Sequence, residues 1–409
     1  MMKRVLSLGL AAVMTASLAA CGSGSADTSG NAADTESTAA EAAGTTAEGS
    51  EGTASEGGTF KIGVIGPLTG DNAAYGLAVQ NGAELAAKEI NEAGGINGYT
   101  VETQSQDDEA DAEKSVNAYN TLKDWGMQML VGATTSGATI AVAAESYNDN
   151  MFQITPSGSA VECVENPNVF RVCFSDPDQG TASAQYIGEH QLATKVAIIY
   201  DSSSVYSDGI RENFVAEAAN QGIEIVASEA FTADSKTDFS VQLDKAKEAG
   251  AELVFLPIYY QEASIILKQA SDKDFHPIFF GCDGMDGILT VDNFDVSLAE
   301  GLMLLTPFSA DAADAQDFTA AYTEAYGEVP NQFAADAYDA MYAIKAAAEQ
   351  SGITPDMSWS DICDAMVPAM TEISIDGLTG TGMTWNENGE PNKEPKAVKI
   401  VNGAYEMQE

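Results

Sequence analysis

The chain has 409 residues, of which 62 are acidic and 18 basic, giving a formal net charge of −44. A field of that sign repels phosphate backbones and anionic headgroups, which excludes nucleic-acid binding and direct electrostatic attachment to lipid. The length is enough for two domains of ordinary size, and the acidity reads as a solvated exterior.

The first residues, MMKR, precede an apolar run from Val5 to about Leu18 and then Leu18-Ala19-Ala20-Cys21. A basic start, a short apolar stretch and small residues before a cut make a secretory signal, and the run is shorter than the roughly 20 residues that span a bilayer. Leu-Ala-Ala-Cys followed by Gly22 resembles a lipobox, the motif at which bacteria acylate a cysteine and cleave before it. The resemblance implies a signal peptide over 1–21, a lipidated Cys21 and an extracytoplasmic chain held by its lipid to the outer face of the cell membrane. Residues 22–58 are Gly, Ser, Ala, Thr and acids with no aromatic residue and no Lys or Arg. Such a segment cannot offset its ordering entropy and is expected to be a disordered tether reaching on the order of 30–35 Å.

From Phe60 short apolar runs alternate with amphipathic stretches. Strands are predicted at 60–65, 100–105, 127–132 and 151–155, with helices over about 74–93, 111–124 and 137–148 between them. The stretch VFRVCFSDPDQG (169–180), punctuated by Asp-Pro-Asp, reads as a crossing between domains. A second series follows: strands at 195–201, 223–228, 252–258 and 277–281, with a helix carrying Ile210, Phe214 and Ala218 on one face and helices near 238–249 and 261–271. GLMLLTP (301–307) and helices near 313–326, 332–351 and 360–370 form a third part. MTWNENGEPNKEPKAVKIV reads as turn, linker and edge strand. The alternation predicts an α/β fold of two doubly wound parallel-sheet lobes joined by several crossings.

In open α/β sheets a ligand sits beyond the carboxyl ends of the strands, where helix N-termini present free N–H groups. Four loops fall there. GPLTGDNAAYG carries Tyr75, GATTSGAT carries Ser136, PSGS carries Ser157 and Ser159, and GCDGMD carries Asp283. Amides, hydroxyls and helix dipoles suit a carboxylate, and a carboxylate side chain suits an ammonium; together they describe a site for a free amino acid. Taken singly, Ser136 is also an ordinary helix cap, Asp283 an ordinary turn residue, and Tyr75, Tyr206 and Tyr259 ordinary packing aromatics. No G-x-G-x-x-G, G-K-[ST] or G-x-S-x-G motif is present, and the two histidines, His190 and His276, lie far apart with no metal-ligand spacing. No cofactor, metal or catalytic group is signalled. Cys163 and Cys173 are close enough in sequence to close a short disulfide loop, a pairing that sequence leaves open, as it leaves open a role for Cys282.

In IGVIGPLTGDNAAYG, AAKEINEAGGINGYTVETQSQDDEAD, ITPSGSA, VFRVCFSDPDQG and MTWNENG, the sequence resembles the leucine/isoleucine/valine-binding protein family of ABC importers, collinearly over nearly all of 59–409. The resemblance implies the type I periplasmic-binding fold with three crossings, one lobe formed by 59–176 and 307–390 and the other by 177–306 and 391–409. It implies that Ser136, Ser157 and Ser159 surround the ligand carboxylate and that Asp283, where well-studied members have Glu, pairs with the ammonium. Tyr75, Tyr206 and Tyr259 would close over the ligand, Phe333 would lie beside its side chain, and Asp176 would sit at the first crossing. The implied function is a monomeric solute-binding protein that delivers an amino acid, foremost a branched-chain one, to a membrane permease. Two other readings share the fold: a subunit that senses ligand without delivering it, and a binder of another small amino acid or an amide.

Overall fold

The computed structural model describes residues 58–408; Cys21, the preceding signal and residues 22–57 lie outside the described residues. The first part comprises β1 (Thr59–Gly66), α1 (Ala73–Glu92), β2 (Thr100–Asp107), α2 (Ala112–Trp125), β3 (Met129–Val131), α3 (Ser136–Asp149), β4 (Phe152–Thr155) and β5 (Val169–Arg171). Their sheet runs β2-β1-β3-β4-β5, every pair parallel. The chain then enters α4 (Asp176–Glu189), β6 (Lys195–Asp201), α5 (Val205–Ala218), β7 (Glu224–Phe231) and α6 (Ser240–Glu248). β8 (Leu253–Leu256), α7 (Tyr260–Asp272), β9 (Ile278–Gly281) and β10 (Met303–Thr306) follow. It returns through α8 (Gln316–Tyr326), α9 (Gln332–Ser351) and α10 (Trp359–Met370), and ends in β11 (Lys396–Val401) and β12 (Ala404–Met407). The second sheet runs β12-β11-β10-β9-β8-β6-β7.

Two parallel-sheet lobes therefore form as the alternation predicts, with two departures. β11 is not an edge strand: it lies between β10 and β12, antiparallel to both, so the closing segment adds a hairpin to an otherwise parallel sheet. And the Asp-Pro-Asp stretch is more than a crossing. Val169–Arg171 is a sheet strand, and α4 begins at Asp176, where Ser175 and Asp178 form a reciprocal capping box around Pro177. Pro is favoured in a first helical turn because its missing N–H is one that the helix would leave unpaired anyway.

The strands β3, β4 and β8 are buried along their whole length, as strands covered by helices on both faces must be. α9 lies along α1, with α10 beside it, so the late helices cover the first sheet. At their closest approach a Cβ on Gly82 would stand 2.1 Å from the Ala334 carbonyl oxygen, so only glycine permits the contact.

The returning segment is pinned by buried polar groups. Trp385 donates its indole N–H to the Arg171 carbonyl at 2.7 Å, and Lys393 pairs with Asp336 at 2.8 Å with both side chains almost fully buried. Among the described residues no helix is long and apolar enough to cross a membrane. Cys163, Cys173, Cys282 and Cys363 are all buried free thiols, so the Cys163–Cys173 loop is not closed by a disulfide.

Candidate functional site

The carboxyl ends of both sheets face one another, and the loops that leave them meet at a narrow gap. From the first sheet come Tyr75 in the opening turn of α1, Thr134, Thr135 and Ser136 where β3 leads into α3, and Ser157 after β4. From the second come Tyr206 in the first turn of α5, Tyr259 just before α7, and Asp283 and Gly284 after β9; Phe333, in the first turn of α9, completes the lining. The enclosed cavity measures only about 10 Å³. That is room for a single water, so the lobes must part before anything the size of an amino acid can enter.

The first wall is built to present donors. Ser136 is the first residue of the 14-residue helix α3, whose leading N–H groups have no partner within the helix. Its hydroxyl oxygen accepts the N–H groups of Ser159 and Ala160, both at 3.2 Å, which directs its own proton elsewhere. Ser157 donates to the Thr134 carbonyl at 2.7 Å, and Thr139 and Thr155 both donate to the Ala133 carbonyl beneath. The Thr135 hydroxyl is buried without a hydrogen-bond partner. Gly158 makes this packing possible, since a Cβ there would lie 2.6 Å from the Thr139 hydroxyl and 2.8 Å from that of Thr155.

The second wall presents one acid. Asp283 is 4 % exposed and accepts the Tyr206 hydroxyl at 2.7 Å and the Gly284 N–H at 2.6 Å, while its own N–H donates to Gln179 at 3.2 Å. Burial raises its carboxyl to about 7, with the Tyr206 hydroxyl and Gly284 N–H opposing and the Asp336 charge adding to the rise. Burial likewise pushes the phenols of Tyr75, Tyr206 and Tyr259 well above their ordinary value, so all three stay protonated donors. Tyr206 and Tyr259 stack at 5.0 Å, and the Tyr75 ring packs 4.2 Å from that of Phe333. Tyr75 also donates to the Gly284 carbonyl, tying one wall to the other.

Seven of the nine residues expected at the site line the gap. Ser159 and Asp176 do not: both are buried behind it, where the Asp176 N–H donates to the Ser159 carbonyl at 2.9 Å. Ser159 leaves the gap because its carbonyl is also drawn to the Arg171 guanidinium, which turns the loop away. Neither the Ser159 hydroxyl nor the Asp176 carboxylate has a hydrogen bond of full geometry. Burial pushes Asp176 well above the usual carboxylate range, the Ser159 hydroxyl being the chief opposing influence and the Asp283 charge reinforcing the shift. Asp176 is thus within electrostatic reach of the gap without lining it.

Arg171 is fully buried behind the serine loop. It donates to the carbonyls of Gly158, Ser159 and Ala160 and stands 3.0 Å from Glu390. It shapes the serine loop from behind. Thr134, Thr135 and Gly284 also line the gap and sit in loops that the sequence singles out, and Gln179 lies in the stretch that reads as a crossing between domains. No group of acids, histidines and cysteines suited to a metal occurs among the described residues.

Residues 59–404 match the model of a family described as periplasmic binding protein. The chain is 32 % identical over 226 residues to a Leu/Ile/Val-binding protein homolog 1 of Brucella suis, an alignment that covers 55 % of this chain and 60 % of that relative. It is 30 % identical over 252 residues to a leucine-, isoleucine-, valine-, threonine- and alanine-binding protein of Pseudomonas aeruginosa, covering 61 % of this chain and 66 % of the relative. Matches to such relatives thus span about two thirds of their length or less. In three dimensions the fold superposes on the branched-chain amino acid transporter substrate binding protein LivJ of Streptococcus pneumoniae in complex with isoleucine. The TM-score is 0.77 at 30 % identity, over 85 % of this chain and 98 % of that one.

Proposed function

Because the chain belongs to the periplasmic binding protein family, we propose that it is the extracytoplasmic solute-binding component of an ABC importer, taking a free amino acid, foremost leucine, isoleucine or valine, between its lobes. The observation that carries this reading is the opposition across one gap of uncharged donors at a helix N-terminus and a single buried carboxylate, Asp283. In the proposed cycle the open protein captures the ligand carboxylate on Ser136, Ser157, Thr135 and the α3 amides. Ser159 and Asp176 act from behind, the Asp176 N–H holding the Ser159 carbonyl and so helping to fix the loop.

Closure then brings Asp283 to the ammonium and Tyr75, Tyr206, Tyr259 and Phe333 around the ligand. The ligand stabilises the closed form because it binds that form better, and a permease reads it. The lobes 59–176 with 307–390 and 177–306 with 391–409 move as the rigid parts, and the lipid on Cys21 keeps the protein beside its permease. No catalytic step is assigned.

An apolar ligand side chain is favoured because no lysine or arginine among the described residues lines the gap and Arg171, behind the serine loop, is already committed to backbone carbonyls and Glu390. Isothermal calorimetry with leucine, isoleucine, valine, threonine, alanine and glutamate tests the reading. Saturable binding of the branched-chain members and none of glutamate is expected; no binding of any aliphatic amino acid would overturn it. Loss of labelled leucine uptake on deletion of the protein separates delivery from sensing.

A further inference from the structure

A second and far larger cavity, about 340 Å³, lies between the lobes beside the second crossing. This is within the range of small-molecule sites, whereas the cleft described above is closed to the size of a water. Its apolar walls come from both sides: Leu77, Ala78 and Val329 from the first part, Leu289, Leu304 and Val398 from the second. Three acids line it, Asp286, Asp311 and Glu328, and no lysine, arginine or histidine does so among the described residues.

Two of its polar groups are buried and incompletely partnered. Asp286 is 6 % exposed; one carboxylate oxygen accepts the Gln332 N–H at 2.9 Å, and the other is served only weakly, by the nearby Tyr405 hydroxyl and Gly287 N–H. Ser309, also 6 % exposed, has an unpartnered hydroxyl. Burial holds the Asp286 carboxyl above its ordinary range against the Gln332 N–H, the Tyr405 hydroxyl and the Gly287 N–H, so the local groups do not fully compensate its charge. A buried carboxylate oxygen so weakly served is a costly arrangement, and a cationic donor would relieve it.

We propose that this cavity is a second ligand site, specific for a small primary amine with an apolar body, its ammonium held by Asp286 and Ser309. A zwitterion is disfavoured because no basic group of the lining can meet a carboxylate, and the acidic rim repels one. The site adjoins the cleft through one residue: Gln332 donates its N–H to Asp286 and its side-chain amide to the Asp283 carbonyl at 2.7 Å. An occupant touching both lobes therefore favours the arrangement in which these walls stand together.

The probe is phenethylamine, titrated by calorimetry into the purified protein beside its uncharged counterpart 2-phenylethanol. Saturable binding of the amine and much weaker binding of the alcohol are expected. Asp286→Asn, which keeps an acceptor for Gln332, is expected to weaken the amine by about tenfold or more, and Asp283→Ala to leave it nearly unchanged. Absence of saturable amine binding, or the reverse response of the two variants, overturns the proposal. Thermal melting checks the fold of each variant; should Asp286→Asn unfold, Thr290→Phe, placed at the exposed rim of the cavity, must block the amine instead, and unimpaired binding there overturns the proposal equally.

Discussion

Asp283 is the residue at which charge, burial and geometry meet. Replacing it with Ala would leave a ligand ammonium without its counter-charge in a dry cleft, and a loss of about 2–5 kcal/mol of leucine binding is expected by calorimetry. Its protonation supplies a second, independent expectation. In the closed form its carboxyl lies at about 7 against an ordinary 3.8. Between those values the closed, ligand-free protein holds a proton that the unfolded chain has released, so this group's contribution to stability falls as pH rises through that window and is level above it. An ammonium ligand pairs with the ionised form and so reverses the bias. To the extent that binding near pH 6 starts from the closed form it should expel up to one proton, and affinity should weaken as pH drops below about 7. Calorimetry in buffers of different ionisation heat reads the proton directly, and Asp283→Asn should abolish it.

At the scale of elements, the serine loop owes its shape to Arg171. Three carbonyls and Glu390 depend on one guanidinium that is wholly buried. Arg171→Met removes those donors while keeping much of the apolar stem, and it leaves Glu390 facing the interior alone. A destabilisation of about 3–5 kcal/mol is expected in denaturant unfolding, with leucine affinity falling in whatever fraction stays folded. This is also where sequence reading reached its limit. The strands and helices with strong periodicity, such as β1, α1 and β8, were legible, as were the loops after them, because burial on both faces leaves unbroken apolar runs. β5 and α4 were hidden because three strand residues carry too short a pattern and Asp-Pro-Asp serves a linker and a helix start alike. The distinction between Ser157, which lines the gap, and Ser159, which is turned behind it, depends on Arg171 reaching the loop from a neighbouring strand. No local pattern records that contact.

For the whole molecule the question is what holds the lobes shut. The contacts that cross the gap differ in worth; beside the Gln332 hydrogen bonds to Asp283 and Asp286, two invite comparison. Lys236 reaches Asp71 at 2.6 Å, but the pair is solvent-exposed, screened by salt and of small consequence. Tyr75 is 1 % exposed, packs against Tyr259, Tyr260 and Phe333, and donates to the Gly284 carbonyl beside Asp283. Tyr75→Phe keeps the ring and removes that donor together with the acceptor of a long hydrogen bond from the Tyr260 N–H at 3.4 Å, leaving a buried carbonyl short of a partner at a loss of about 1 kcal/mol or somewhat more. The variant should therefore populate the open form more than the parent does without ligand, which small-angle scattering reads as a larger radius of gyration. Saturating leucine should bring the two proteins to the same compact value, at a severalfold higher ligand concentration for the variant. Lys236→Ala should change neither quantity measurably at physiological salt. Equal opening by both variants would place the latch at the surface, and no opening by either would place it on the apolar ring contacts and the Gln332 hydrogen bonds to Asp283 and Asp286.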